Sequence, residues 1–158
     1  MTPEEMGQRA QEFLKQGFHW SQAVLAVGLE KMEIENTEVV KALGLFGGGI
    51  SGTGGICGIF TGGIALISSI SSRGTLEEKE SPDMWRLGHQ LDNKFGELTS
   101  EFGGKSCSQI ARVDWMDRDQ VNNFYSGANG RFKHCLELAV KTTQILGEIL
   151  EKEAAGKK

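Results

Sequence analysis

The chain predicts an all-α, single-domain helical bundle of about six to seven helices, with a central apolar helix that contains glycine. Three observations predict it. Apolar residues recur at three- and four-residue steps, as in Met84, Leu87, Leu91, Phe95, Leu98 and Phe102. Helix starts are signalled repeatedly, by Thr2-Pro3-Glu4-Glu5, Asn36 and Ser81-Pro82-Asp83. No stretch alternates apolar and polar residues in the manner of a strand.

The elements follow in order. Thr2 to Glu5 is a capping box with proline at the first helical position, and the helix it opens carries Met6, Ala10, Phe13 and Leu14 until Gly17 stops it. A second helix, about His19 to Met32, places Trp20, Ala23, Val24 and Val27 at core spacing. Asn36 caps a third with Val39, Val40, Leu43 and Phe46. After the glycine-rich stretch 47–55 comes the central helix, about Ile56 to Ser72, apolar on most sides. A polar connection leads to the long helix opened at Ser81 and ended by Gly103-Gly104. A short helix after Ser106, another near Asp117 to Tyr125, and a last one from about Arg131 complete the bundle, with a charged tail, 151–158, expected to fray. A chain of 158 residues can bury one core without disulfide staples, and no linker divides it.

Composition excludes several classes. A formal net charge of −4 with no cluster of lysine or arginine disfavours nucleic acid. The strongly apolar run 56–70 is shorter than the ~20 residues a bilayer requires, and Gly58, Gly62, Gly63, Ser68 and Ser69 dilute it, so no membrane span is expected. The acidic N-terminal residues do not read as a secretory signal, and three cysteines outside any CxxC arrangement suit a reducing, cytoplasmic setting.

Chemistry concentrates at the cysteines. Cys57 falls at the start of the central helix and Cys107 follows Lys105-Ser106 at another helix start; both placements expose a thiol to partial positive charge, which favours the reactive thiolate. Cys57 is on these grounds the expected first thiolate. Cys135 lies on the apolar side of the last helix. Buried, inert cysteines are the competing reading. Gly47, Gly49 and Gly52 spell GxGxxG, but a helix rather than a strand precedes them, so a dinucleotide is not implied; only a small anion at the loop remains. The histidines 19, 89 and 134 form no metal-binding constellation with one another.

From Trp20 to Cys135 the sequence resembles the C_GCAxxG_C_C family of redox-active proteins. Ser21-Gln22-Ala23-Val24-Leu25 matches its early helix, Phe46-Gly47-Gly48-Gly49-Ile50 its glycine loop, and Cys57-Gly58-Ile59-Phe60-Thr61-Gly62 its named motif with Ile59 in place of alanine. Ser106-Cys107 and Cys135-Leu136-Glu137-Leu138 correspond to the later cysteines. Trp20 stands where the family has its first cysteine. The resemblance implies thiol redox chemistry or a bound metal or iron–sulfur cluster, with Cys57, Cys107 and Cys135 as catalytic residues or metal ligands. It makes Gly47, Gly48, Gly49 and Trp20 the positions beside a cofactor, and His19 a fourth ligand to consider. Oxidoreductase- or transporter-associated proteins are the implied partners, a homodimer is allowed, and a non-enzymatic scaffold that has lost its cofactor is the alternative function.

Overall fold

The computed structural model describes residues 1–156, and among these every regular element is helical. The eight α-helices are α1 (Pro3–Lys15), α2 (Trp20–Lys31), α3 (Thr37–Ala42), α4 (Gly58–Ser71), α5 (Met84–Thr99), α6 (Cys107–Ile110), α7 (Arg118–Ser126) and α8 (Arg131–Gly156). Short 3₁₀ turns, Gly44–Phe46 and Ser100–Phe102, extend α3 and α5. The all-helical bundle expected from periodicity is the observed fold. No helix among the described residues is long and apolar enough to cross a membrane.

Local chemistry accounts for the boundaries. Thr2 accepts from the Glu5 amide while the Glu5 carboxylate takes the Thr2 N–H, closing the predicted box. Asn36 accepts from Val39, and Asp117 from Asp119 and Gln120. Ser106 and Gln109 form a further box, one that makes a helix of only four residues hold. The start of α5 departs from expectation, because Asp83 occupies the cap without a side-chain bond and Ser81 instead accepts from the Asp83 amide. The last helix runs on through 151–156, most of the tail expected to fray; the rest of that tail, 157–158, lies outside the described residues.

The centre is shared by two helices. α4 packs on α2, α5 and α8, as a central apolar helix should. α2 is just as enclosed, with Ser21 and every residue from Ala23 to Leu29 buried. Glycines allow the approach: a Cβ on Gly62 would lie 2.5 Å from the Ser21 carbonyl oxygen, and one on Gly28 would overlap Leu66. Ser21 Oγ donates to the Leu43 carbonyl at 2.8 Å, which fastens the end of α3 to the same place. One apolar cluster, from Met6 and Ala10 through Val24, Leu66, Leu91 and Phe95 to Leu146 and Ile149, runs through all the long helices.

Candidate thiol site

At one end of this core the chain does something a helix pattern does not announce. Ile56, expected to begin α4, is extended and pairs with Ser106 in an isolated antiparallel bridge. The Cys57 amide donates to the Lys105 carbonyl at 3.1 Å and the Cys107 amide to the Gly55 carbonyl. Side chains alternate across such a bridge, so Cys57 and Cys107, each one residue past the paired position, leave on the same face. Diagonal neighbours of this kind stand about 7–8 Å apart at Cα, beyond the roughly 4.4–6.8 Å usual for a disulfide, so joining Cys57 to Cys107 requires the backbone to draw in. Cys57 is therefore the N-cap of α4, not a member of its first turn.

Cys135, from the second turn of α8, faces the same point. The three cysteines, with Trp20, Gly48, Ile59, Ile110, Trp115 and Phe124, wall a chamber of ≈ 20 Å³. That is room for about one water molecule. Each cysteine retains only 6–7% of its surface in contact with solvent. All three are free thiols.

The glycine stretch shapes one wall. Residues 48 to 52 all have positive φ, including Ile50 and Ser51, which have no glycine's freedom. A Cβ on Gly48 would crowd Trp115 at 3.2 Å, and one on Gly49 would lie 2.7 Å from the Cys107 Cβ. Gly47 rests against His19 instead. The amides of 50 to 55 all donate back to carbonyls of 45 to 50, and the Gly54 and Gly55 carbonyls accept from Ser108 and Cys107. These six amides are thus engaged within the protein and are not open to an anion at this loop.

Burial overturns the expectation of depressed thiol pKa values. Desolvation pushes Cys57 up to about 12, against a smaller opposing pull from the Ile59 and Phe60 amides, which make no formal capping bond. Cys107 and Cys135 are raised too, again mainly by burial. The cation expected beside Cys107 is turned away, since the Lys105 ammonium is bonded to Asp92 and lies over the Phe60 ring. The neighbouring amides at Cys107 and Ser108 are spent on the glycine loop. What Cys107 does have is Trp115, whose indole Nε1–H donates to Cys107 Sγ at 3.3 Å and lowers its pKa against the effect of burial. Cys107, rather than Cys57, is the thiol with a side-chain donor.

Trp115 escaped the sequence reading. Its signal was faint, a tryptophan set in the polar run Val113-Asp114-Trp115-Met116-Asp117 between two short helices. The surroundings hold it firmly: Phe124 meets its ring edge-on at 5.2 Å, and Gly48 and Gly52 leave space for it on the loop side. Trp20 is half-buried, with its ring 5.6 Å from that of Phe132. His19, His89 and His134 are all exposed, and none lines the chamber.

Three thiols could supply part of the thiolate set of an iron–sulfur cluster, so the fit can be judged by space. Even a [2Fe–2S] core of four atoms is much larger than a single water molecule, and Trp20, which also lines the chamber, fills space with an indole and supplies no thiolate. Among the described residues no three Cys, His, Asp or Glu side chains converge as metal ligands. The residues present do not fit a cluster.

No curated protein and no solved structure matches the chain. A family model does, over residues 18–149, a span that takes in the bridge, the glycine loop and all three chamber cysteines. Its description is "Putative redox-active protein (C_GCAxxG_C_C)", and the chain belongs to that family.

Proposed function

We propose that the chain is a thiol redox protein that alternates between free thiols and a disulfide formed within the chamber of Cys57, Cys107 and Cys135. One observation carries the reading: three cysteines from stretches far apart in sequence wall a single small chamber. Two of the thiols lose two electrons and two protons to an oxidant, and one sulfur–sulfur bond forms. Cys107 reacts first in this scheme, because Trp115 donates to its sulfur. The bridge keeps Cys57 beside it, while α8 brings in Cys135. Membership of a family named for redox activity supports the same reading. No step passes through a metal or cluster.

The test is thiol counting and peptide mapping on the reduced, native chain after treatment with diamide. Loss of two thiols, a cross-linked peptide joining two of the chamber cysteines, and reversal by dithiothreitol are expected. If all three remain free under conditions that oxidise a dithiol peptide, the reading is wrong.

A further inference from the structure

We propose that the chamber takes small uncharged oxidants of the hydroperoxide class and turns away disulfide substrates, with Cys107 as the reacting sulfur and Trp115 as its positioning residue. The inference rests on the thiol redox reading and names its substrate. Space and polarity carry it. The chamber holds ≈ 20 Å³ and its walls between the cysteines are indole, phenyl and aliphatic groups. A molecule little larger than water, without charge, can meet Cys107 there. A charged tripeptide disulfide cannot, and thiol–disulfide exchange needs in-line access to the attacked sulfur.

The geometry around Trp115 gives the reaction a direction. Its N–H points at Cys107 Sγ and, among the described residues, bonds to no other sulfur. The ring is held by Phe124 on one edge and by the glycine loop on another. The loop that carries it is tied down in turn. The Asp114 amide donates to Gln120 Oε1 at 2.9 Å, and the Met116 amide to Asp114 Oδ1 at 2.9 Å. An N–H fixed in this way favours the anionic sulfur, the form that attacks peroxide.

The step balances without a cofactor. Cys107 loses its thiol proton, and its sulfur attacks one peroxide oxygen. A sulfur–oxygen bond forms, the oxygen–oxygen bond breaks, and the departing hydroxide takes up the thiol proton as water. The resulting sulfenic acid is attacked by the sulfur of Cys57 or Cys135. A sulfur–sulfur bond then forms, and the sulfenic hydroxyl leaves with that thiol's proton as a second water. Two thiols are oxidised by two electrons and one hydrogen peroxide is reduced to two waters; from an organic hydroperoxide the first product is the alcohol instead of water.

The experiment exposes the reduced full-length chain to hydrogen peroxide, tert-butyl hydroperoxide or oxidised glutathione at equal concentration. Reactions are stopped in denaturant containing dimedone and each cysteine is mapped. Hydrogen peroxide should label Cys107 first, and the two bulkier oxidants should act at least roughly tenfold more slowly. Trp115→Phe keeps a ring and loses the donor; its Cys107 oxidation should fall several-fold at pH 8, with the pH profile displaced upward. Circular dichroism establishes that this variant folds, and the comparison of oxidants on the unaltered chain decides the proposal without it. Oxidised glutathione acting as fast as peroxide, or first label on Cys57 or Cys135, overturns the proposal while leaving thiol redox chemistry standing. Failure of every oxidant to produce a disulfide overturns both. An unchanged pH profile in Trp115→Phe removes the role of Trp115.

Discussion

Gly49 and Cys107 touch backbone to side chain, so closely that a methyl group on Gly49 would sit 2.7 Å from the Cys107 Cβ and 2.5 Å from the Gly55 amide nitrogen. The glycine also has φ +72°, a conformation that costs an L-residue about 1–2 kcal/mol. Gly49→Ala combines strain with overlap against backbone, which cannot swing aside. A loss of about 2–4 kcal/mol is expected by urea unfolding, with faster alkylation of Cys107 in the folded state as the loop lifts. A variant as stable as the parent would show that the loop is not pressed on the thiol.

The raised thiol pKa values make stability depend on alkaline pH. Folded Cys57 keeps its proton up to about 12, whereas an unfolded cysteine loses it near ~8.5. The folded state therefore binds more protons in between. The associated stability is complete below the unfolded value and is lost as pH rises toward the folded one. The slope reaches about 1.4 kcal/mol per pH unit for one thiol. Unfolding of the parent and of Cys57→Ala, followed from pH 7 to 10.5, should give curves that converge as pH rises. Parallel curves would contradict the burial of the thiol.

Lys105 offers a control. Its ammonium faces Asp92, with a third of its side chain exposed, and it contributes its backbone carbonyl to Cys57. Lys105→Gln should cost under about 1 kcal/mol, as exposed ion pairs do. The pH profile of Cys107 alkylation should stay within about twofold of the parent's, since a cation bonded elsewhere does little for a thiolate. A clear upward displacement of that profile would restore Lys105 as the activating charge.

The helices could be read from sequence because each announces itself locally. Thr2 with Glu5, Asn36, Ser106 and Asp117 are caps whose chemistry lies within three residues, and the stripe from Leu87 to Phe95 needs only one helix to be visible. The chamber could not be read in this way. It depends on Ile56 meeting Ser106, fifty residues away, and a single bridge has no repeating pattern to betray it. The cysteines were found as residue types, but their pKa values follow from burial, which outweighs helix-start charge once the amides of Cys107 and Ser108 are taken by the glycine loop. Trp115 is the clearest omission, because a donor to sulfur is recognisable only when the sulfur is in place.

The close approach of α2 and α4 supplies a paired prediction. At Gly28 the atoms in the way belong to the Leu66 side chain, which can change rotamer at a cost of about 1–3 kcal/mol in a filled core. At Gly62 the obstacle is the Ser21 carbonyl, part of the α2 backbone, and the Ser21 hydroxyl is already committed to Leu43. A methyl group there has to part the helices, and the displacement reaches Trp20, the residue directly before Ser21, and with it the chamber wall. Gly62→Ala should therefore lose more stability than Gly28→Ala, by about 1 kcal/mol or more. It should also raise the alkylation rate of the chamber thiols, while Gly28→Ala leaves that rate near the parent's. Urea unfolding and peptide-resolved alkylation of the two variants measure both effects. Equal losses, or a larger loss at Gly28, would mean that the helices separate more easily than their backbone contact implies.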